Sequence, residues 1–414
     1  MKVLVIAIGS RGDVNPFLAV ALKLKSKGHE VVFCTSENYR QLIEDQAIRF
    51  VPHFTRKQYE EVTNDPDLWH FRKALPTLIK KGLLPGMRII YPLIMQERTE
   101  DFVVVSTPFA LASKLAEEKE GIKVVHLHLA PSMFRTLQDT SQVGSIPMGK
   151  GFPAWYKKLL WWLADIFIFD PCIKKELNCF RSELGLKPVR RIPDQWLFSG
   201  CLNAAMFSRD IAQQQPDWPA PSEMFDFLLY DGNEQVPPEA ERFIKQGEPP
   251  IVFTFGTAFY FGKNIFQESV KALEMINARG IFLTPKKDDL PDRLPPHIMT
   301  CSFLPLGNVL SSCRAIVHHG GVGTLGQALK AGIPQLIRPL AYDQFDNAYR
   351  VTNRKLGSYI LARQYTAARL SRKLSAMLAD TELINNCKEV SRHIDSEAAL
   401  EKLAARIEEI GRRK

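Results

Sequence analysis

Unbroken apolar runs alternate with amphipathic segments from the start of the chain. Val3–Ile8 is one such run that ends in glycine, which is typical of a buried parallel strand. The pair Asn15 and Pro16 favours a helix start, with Asn as the cap and Pro at the first helical position, and Gly28 ends that helix. Val31–Cys34 is the next predicted strand. The pattern therefore predicts a βαβ unit at the beginning of the chain.

The same alternation starts again in the second half of the chain. The segments VLVIAIGSRGD (residues 3–13) and IVFTFGTAFY (residues 251–260) are both apolar strands followed by Gly-Ser or Gly-Thr. This echo predicts an α/β protein of two Rossmann-like domains that face each other across a cleft. In such a fold, ligand binds at the carboxyl ends of the strands of both sheets.

Composition along the chain suggests where the two domains meet. Residues 213–223 are rich in Pro and Gln, which is typical of a linker. We therefore predict an N-terminal domain over 1–212 and a C-terminal domain over 224–390. The charged, amphipathic residues 391–414 predict a terminal helix, which we expect to pack back on the N-terminal domain.

Charge limits the classes of partner. The 414 residues include 54 Lys and Arg against 45 Asp and Glu, and the resulting net charge of +9 is scattered along the chain. A mild, scattered excess fits an anionic small ligand or a phospholipid surface, whereas nucleic-acid binding usually needs a basic cluster. We expect no nucleic-acid partner.

Cysteine content and hydropathy predict the compartment. The seven cysteines are odd in number and show no metal-ligand spacing, which favours a reduced, cytoplasmic protein. The opening residues MKVLVIAIGSRGD predict a strand and not a signal peptide. The longest apolar segment, 159–169, is too short to span a bilayer and contains Asp165. We expect a cytoplasmic location, either free or peripheral at the inner face of the membrane.

The stretch AIVHHGGVGTLGQALKAGIPQLIRP, residues 315–339, concentrates the candidate chemistry. Ala315–Val317 predicts a strand and Thr324–Ala331 predicts a helix, so two histidines and three glycines occupy the turn between them. A turn without Cβ atoms lets a ligand approach the backbone closely, and the N–H groups that open the helix attract phosphate. The stretch therefore predicts an anion site, to which an adjacent His adds a hydrogen bond.

A dinucleotide site is the alternative for the same stretch. Gly321, Gly323 and Gly326 satisfy G-x-G-x-x-G, and Asp343 follows about 20 residues later, where a ribose-binding acid is expected. The helix is short for such a site, however, and Asp343 falls in a loop beyond the next strand. An NAD(P)-dependent oxidoreductase is therefore the second hypothesis. A non-catalytic nucleotide-sugar-binding partner is the third.

The segments HHGGVGT and GIPQLIRPLAYDQFDNA resemble the donor-binding box of family 1 glycosyltransferases. IGSRGDVNPFLAVALKLKSKGHEV resembles the opening of bacterial members and of sterol glucosyltransferases, and the chain is most similar to rhamnosyltransferases that build rhamnolipids. The resemblance implies the GT-B fold and inverting transfer of a hexose from a UDP- or dTDP-sugar to a hydroxyl of a hydrophobic acceptor. It also implies that neither a metal nor a cofactor takes part, and that the product belongs to glycolipid or secondary-metabolite biosynthesis.

The resemblance implies a role for each residue of the donor site. Phe303 stands where the family usually has a base-stacking Trp, and the backbone of Leu304 would contact the edge of the base. His319 matches the phosphate-binding His, whereas His318 is expected to be structural. Gln327 replaces the Glu that many members use for the ribose hydroxyls. The expected diphosphate contacts are Gly256, Thr257, Gly321, Val322, Gly323 and Thr324.

The resemblance also implies residues for the sugar and for the base. Asp343 and Gln344 match the Asp-Gln pair that holds sugar hydroxyls, which suits a polyol because a carboxylate accepts and an amide both donates and accepts. Asp13 lies in the first loop, where bacterial relatives carry an acid, and we expect it to take the proton of the acceptor hydroxyl. The alternative is a capping role for Asp13, although Asn15 is better placed to cap the helix.

The acceptor is expected to bind in the N-terminal domain. His126 and His128 alternate to one face at a strand end there and are candidates for the acceptor side. Trp155, Leu159 and Trp162, with Ile166, fall on one helical face that Lys157 and Lys158 flank. Such a helix either packs its apolar face into the core, or lines an acceptor tunnel, or rests on a membrane.

Overall fold

Each half of the chain builds its own parallel β-sheet. The computed structural model describes residues 1–70, 73–142, 146, 148, 151–230, 232, 234–256 and 263–413. The chain divides into two units, of which the first is Met1–Leu228 with Ser396–Lys414 and the second is Leu229–Asp395. This arrangement confirms the predicted α/β fold of two Rossmann-like domains.

The first unit is organised by a seven-stranded sheet. Its strands are β1 (Lys2–Ile6), β2 (Glu30–Ser36), β3 (Arg49–Phe54), β4 (Phe102–Ser106), β5 (Lys123–His128), β6 (Leu202–Ala205) and β7 (Ser222–Met224). Their order is β3-β2-β1-β4-β5-β6-β7, and neighbouring strands are parallel. Every residue of β4 is buried, as expected when helices cover both faces of a parallel sheet.

Helices connect the strands of the first unit. They are α1 (Arg11–Ser26), α2 (Arg40–Glu44), α3 (Arg56–Thr63), α4 (Ala74–Leu78), α5 (Leu84–Glu97), α6 (Leu111–Glu120), α7 (Ala154–Ala164), α8 (Asp170–Glu183) and α9 (Ile192–Gln195). Single π-helical turns, Ile79–Leu83 and Asp165–Phe169, join α4 to α5 and α7 to α8.

The second unit has a six-stranded parallel sheet. In chain order its elements are α10 (Pro238–Lys245), β8 (Ile251–Thr254), α11 (Lys263–Met275), β9 (Gly280–Leu283), β10 (Ile298–Cys301), α12 (Leu306–Val309), β11 (Ala315–His318), α13 (Val322–Ala331), β12 (Gln335–Ile337), α14 (Gln344–Asn353), β13 (Gly357–Tyr359), α15 (Ala367–Ala379) and α16 (Thr381–His393). The strand order is β10-β9-β8-β11-β12-β13. The β8–β11 neighbours therefore stand at the centre of the sheet.

The start of α1 corrects one local prediction. The helix begins at Arg11 with Ser10 as its cap, five residues before the predicted start, which had Asn15 as the cap and Pro16 as the first helical residue. Ser10 and Asp13 form a capping box, which satisfies the first N–H groups of the helix earlier than an Asn cap would. Pro16 consequently stands inside the helix, where its missing N–H removes one bond of the ladder.

The segment predicted as a linker belongs to the first unit. Part of 213–223 forms β7, which adds an edge strand to β6, and the Asn203 N–H donates to the Pro221 carbonyl at 2.9 Å. Trp218 is buried. Proline is tolerated on an edge strand because one side of that strand has no partner, so a proline-rich composition did not exclude pairing. The boundary between the units lies after Leu228.

The C-terminal helix, α17 (Ser396–Arg412), returns to the first unit. It packs against α1, β4 and β5, with Leu403 and Ile407 fully buried. Lys23 of α1 lies 2.6 Å from a carboxylate oxygen of Glu397 and also of Glu401. The change of unit falls at Asp395 and not at the predicted 390/391 boundary, because α16 still packs on α13.

The length and hydropathy of the helices show whether any of them could cross a membrane. Within the described ranges, no helix combines the length and the apolar character needed to cross a membrane.

Shortening one side chain of α17 should weaken the first unit. Leu403→Ala leaves a cavity at a fully buried position and should lower the free energy of unfolding by about 2–5 kcal/mol. All six tryptophans lie in the first unit, so urea denaturation followed by tryptophan fluorescence reports on that unit. The exposed Ala405→Ser on the same helix should change the value by less than about 0.5 kcal/mol. Equal effects of the two substitutions would contradict the packing of α17.

Candidate functional site

The predicted glycine and histidine residues of the second unit come together at the carboxyl ends of two neighbouring strands. β8 and β11 are paired, with Thr254 opposite His318. Gly256 follows β8 and His319 follows β11, so the parallel pairing places both residues at one edge of the sheet. Thr257 lies outside the described residues.

The imidazole of His319 occupies the space that two glycines leave open. A Cβ atom on Gly256 would lie 3.2 Å from His319 Cε1, and one on Gly321 would lie 2.5 Å from Nε2. Gly256 also has a φ of +91°, a conformation that L side chains rarely adopt. A side chain at either position would therefore displace the ring.

His319 is neutral and keeps an unused nitrogen. Burial lowers the pKa of His319 to about 4, because the charged imidazolium is poorly solvated there. Its Nδ1 is buried and has no hydrogen-bond partner among the described residues. A neutral imidazole has one N–H and one acceptor nitrogen, so a hydrogen bond that this half-buried ring gives to a ligand comes from its single N–H and adds no charge.

His318 has the structural role expected of it. The Gly320 N–H donates to Nδ1 at 3.1 Å, and Nε2 lies 3.0 Å from Gln335 Oε1. Because Nδ1 accepts, Nε2 carries the proton and donates to Gln335. The ring is fully buried, which lowers the pKa of His318 to about 3 and keeps it neutral.

The start of α13 offers free N–H groups next to His319. Gly321 is the cap, and the first bond of the helix runs from the Leu325 N–H to the Gly321 carbonyl at 3.0 Å. The earlier N–H groups have no intrahelical acceptor, and the helix dipole adds partial positive charge. The half-buried residues of this turn are Gly321, Val322, Gly323 and Thr324, and the buried Gln327 follows one turn later. The turn therefore suits an anion.

A buried amide connects this turn to the predicted sugar site. Asn347 Nδ2 donates to the Gly320 carbonyl at 2.9 Å and to Asp343 Oδ2 at 2.8 Å. Asp343 is the cap residue of α14, one helical turn before Asn347. Sequence analysis missed Asn347, because the spacing of four residues from Asp343 indicates a contact only once both are known to lie at the start of a helix.

Gln344 makes hydrogen bonds within the protein that its predicted role in sugar binding does not require. Its Oε1 accepts hydrogen bonds from the Leu340 N–H at 2.8 Å and the Ala341 N–H at 3.2 Å. The side chain is also buried. Gln344 therefore shapes the loop before α14, and only its NH2 group remains for a ligand.

Phe303 and Leu304 lie at the far edge of the same sheet. Both follow β10, where the half-buried Phe303 accepts a hydrogen bond on its carbonyl from the Cys301 thiol at 2.7 Å. Leu304 is part of the hydrophobic core. Three strand spacings, about 14 Å, separate β10 from β11. That span suits a ligand of several linked groups better than a lone phosphate.

Asp13 is the N3 residue of the first helix in the first unit. Its Oδ2 accepts hydrogen bonds from the N–H of Ser10 at 2.8 Å and from the Ser10 hydroxyl at 2.9 Å. Both bonds use Oδ2, which leaves Oδ1 without a hydrogen bond from the part of the chain that the structure describes. Burial raises the pKa of Asp13, and the two bonds from Ser10 oppose that rise. The capping role falls to Ser10 and Asp13, not to Asn15.

Two tyrosines that sequence reasoning missed stand beside Asp13. The hydroxyls of Tyr39 and Tyr59 are 3.0 Å apart. Burial raises the pKa of both phenols, and the Asp13 carboxylate raises each further. The group therefore contains one carboxylate and two neutral hydroxyls. No spacing in the sequence indicated this contact, because it depends on the connection after β2 and on α3 meeting the first loop.

His126 and His128 belong to the core of the first unit. Nε2 of His126 lies 3.1 Å from the Ser113 hydroxyl, and Nε2 of His128 lies 3.2 Å from Asn203 Oδ1. Burial lowers the pKa of both rings, to about 4 for His128. Their accessible surface is 0% and 1%, so we assign both rings to packing and not to an acceptor surface.

The described residues offer no metal-ligand cluster. They contain no group of three or more His, Cys, Asp or Glu side chains that could hold a metal ion. The expectation of a reaction without metal stays a prediction.

Known proteins resemble both halves of the chain. Residues 3–128 match the glycosyltransferase family 28 N-terminal domain. Residues 274–410 match the erythromycin biosynthesis protein CIII-like C-terminal domain. The O-mycaminosyltylonolide 6-deoxyallosyltransferase of Streptomyces fradiae is 25% identical over 99% of this chain and 97% of its own. A sterol 3-beta-glucosyltransferase of Arabidopsis thaliana is 24% identical over 96% of this chain and 66% of its own.

A solved structure matches the chain over its full length. The glycosyltransferase VinC, in complex with dTDP, superimposes with a TM-score of 0.69, at 18% identity and full coverage of both chains. The two parallel-sheet, Rossmann-like units match the GT-B fold of that structure. The chain thus resembles glycosyltransferases in both halves, with a segment similar to the family 28 N-terminal domain followed by one similar to the erythromycin biosynthesis protein CIII-like C-terminal domain. The predicted fold and activity are confirmed.

Removing the amide that links the two parts of the site should destabilise the second unit. Asn347→Ala leaves the buried Gly320 carbonyl without its side-chain donor, at a cost of about 1–3 kcal/mol. Calorimetric unfolding of the full chain should show the loss, whereas Asn353→Ala at the exposed end of α14 should not. Identical thermograms for both variants would contradict the linking role.

Proposed function

We propose that this glycosyltransferase binds a UDP- or dTDP-sugar in its second unit and transfers the hexose, with inversion, to a hydroxyl of a hydrophobic acceptor. The observation that carries the proposal is the His319 ring between Gly256 and Gly321, beside the free N–H groups of α13. The dTDP complex of VinC supports the class of donor. The named activities of the macrolide and sterol relatives support an apolar acceptor such as a lipid, sterol or polyketide.

The donor is held along the carboxyl edge of the second sheet. The N–H groups of Gly321 to Thr324, the Thr324 hydroxyl and His319 bind the diphosphate, together with Gly256 and Thr257. Gln327 binds the ribose, Phe303 stacks on the base, and the Leu304 backbone contacts its edge. These groups stabilise the negative charge that grows on the leaving diphosphate, so the proposed reaction uses neither a metal nor a cofactor.

The sugar is held by the start of α14. Asn347 fixes the carboxylate of Asp343, which then accepts hydrogen bonds from sugar hydroxyls. Gln344 contributes a donated hydrogen bond from its NH2 group, because its Oε1 already serves the loop.

Asp13 is the proposed base. As the acceptor oxygen forms its bond to the anomeric carbon, Asp13 takes the hydroxyl proton, and the bonding electrons of the breaking C–O bond leave with the diphosphate. A carboxylate at a helix start is ordinarily a weak base, but burial raises the pKa of Asp13. Its environment therefore suits proton transfer better than the sequence position alone indicated.

Two alternatives lose support. The comparisons favour a glycosyltransferase over an NAD(P)-dependent oxidoreductase. Asp343 caps α14 instead of standing at the tip of β12, where a ribose-binding acid belongs. A non-catalytic partner would not need a carboxylate with a raised pKa in the first loop.

A cytoplasmic location forms part of the proposal. The seven cysteines are all free, as in proteins of reducing compartments. Peripheral contact with the inner face of the membrane would bring the enzyme to an apolar acceptor.

Ligand titration tests the donor site. UDP or dTDP should bind in calorimetry, and His319→Ala should weaken binding about tenfold or more through loss of a hydrogen bond to a charged group. His393→Ala, at an exposed position of α16, should leave the affinity unchanged. Product mass from UDP-glucose, UDP-galactose, UDP-N-acetylglucosamine and dTDP-rhamnose with a lipid extract then identifies the sugar. Tighter binding of NADH than of either nucleotide would refute the proposal.

Neutralising the base should stop transfer and spare binding. Asp13→Asn should lower the transfer rate about 10²- to 10⁴-fold at unchanged nucleotide affinity, whereas the exposed Asp45→Asn should behave as wild type. The base works only when ionised. Because burial raises its pKa, the wild-type rate should fall with decreasing pH at a higher pH than an ordinary carboxylate would give. Turnover retained in Asp13→Asn would remove Asp13 from the mechanism.

A further inference from the structure

The helix α7 turns its apolar face towards solvent. Trp155, Leu159 and Trp162 follow one another at helical spacing and are 68%, 43% and 43% exposed. The opposite side holds Lys157, which is buried and donates from Nζ to the Leu137 carbonyl at 2.9 Å. The interpretation of α7 as a core-facing helix is therefore wrong.

The π-helical turn after α7 continues this surface. Asp165 points inwards with no accessible surface, and Arg135 binds its two oxygens at 2.6 and 2.8 Å. Phe167 and Ile168 point outwards and are 69% and 50% exposed. The extra residue of the π turn shifts the helical register, so that the acid enters the core while the aromatic ring leaves it.

Around these residues the acidic side chains are mostly buried and the basic side chains mostly exposed. The acids Asp165 and Asp170 are both buried. Over residues 154–176, the exposed charges are Lys158, Lys174 and Lys175 against the single acid Glu176.

A cavity of about 550 Å³ lies beside Trp162 and Ile166. The exposed cations Lys174 and Arg190 line it as well. The apolar surface thus has a positively charged border.

We propose that this surface docks on a bilayer that contains anionic phospholipid. The surface, called the α7 surface below, consists of Trp155, Leu159, Trp162, Phe167 and Ile168, with the cations Lys158, Lys174 and Arg190. Tryptophan and phenylalanine insert at the level of the lipid headgroups, and neighbouring Lys and Arg bind the phosphates. A second copy of the chain fits less well, because self-association would bring the positive borders together.

The α7 surface contains none of the residues assigned to transfer. Membrane docking can therefore be disproved while the proposed transfer reaction stands. Equally, the transfer reaction can be disproved while docking stands. Nucleotide affinity in the absence of lipid should be the same in every variant described next.

Vesicle sedimentation tests the proposal with the full chain. Wild type should pellet with vesicles of phosphatidylcholine and phosphatidylglycerol and remain in solution with phosphatidylcholine alone. The double variant Trp155→Ser with Phe167→Ser should lose about tenfold or more in partitioning, because each ring is removed from the apolar boundary. Lys174→Gln and Arg190→Gln should each lose about fivefold, and only with anionic vesicles.

Matched controls lie in the second unit. Met275→Ser removes an apolar side chain that is 61% exposed, and Arg372→Gln removes an exposed cation of α15. Both should partition as wild type. Failure of wild type to pellet, equal pelleting with neutral and anionic vesicles, or equal losses in variants and controls would overturn the proposal. So would sedimentation showing a dimer that the Trp155→Ser and Phe167→Ser pair dissociates.

Discussion

The backbone of Gly320 is fixed by hydrogen bonds from both sides, and the geometry of the proposed donor site depends on this. Its N–H donates to His318, and its carbonyl accepts from Asn347. The single residue Gly320 thereby connects β11 to α14, and Asn347 extends the connection to Asp343. His318, Gly320 and Asn347 are buried, so loss of either Gly320 bond would leave a desolvated partner. This network holds the turn between β11 and α13 in one arrangement, with His319 beside Gly256 and Gly321 and with the first N–H groups of α13 next to it.

The two units use the same strand-to-helix turn for opposite purposes. In the first unit the start of α1 is already occupied by an acid, because Asp13 accepts two bonds from Ser10. In the second unit the first turn of α13 contains no acidic residue. The positive end of α13 therefore has no carboxylate of its own helix to neutralise it, whereas α1 retains one, and this difference supports the proposed diphosphate site. Burial adds to the chemical difference between the two turns, because it raises the pKa of Asp13 and lowers the pKa of His319, which keeps the ring neutral.

Local patterns in the sequence accounted for much of the fold and of the donor site. Apolar runs indicated the buried parallel strands, and the glycines after Val317 indicated the turn that opens α13. The resemblance to family 1 glycosyltransferases, and not the local pattern, distinguished His318 from His319. Contacts made by distant segments were not visible in this way. Asn347 reaches Gly320 across 27 residues, and Tyr39 and Tyr59 meet near Asp13 only after the chain has folded.

Neighbouring residues were enough to predict the α/β class and the glycine turn before α13, because strand burial, helix ends and glycine turns are local properties. The role of Asp13 as base came from the resemblance to family 1 glycosyltransferases and stays a proposal. Tertiary structure alone decided that the proline-rich segment ending at Glu223 joins the first sheet, since pairing with β6 outweighs composition. Tertiary packing also determined that the apolar face of α7 points towards solvent. Amphipathic spacing shows which residues share a face, but only the packing of Lys157 and Asp165 into the core turns that face outwards.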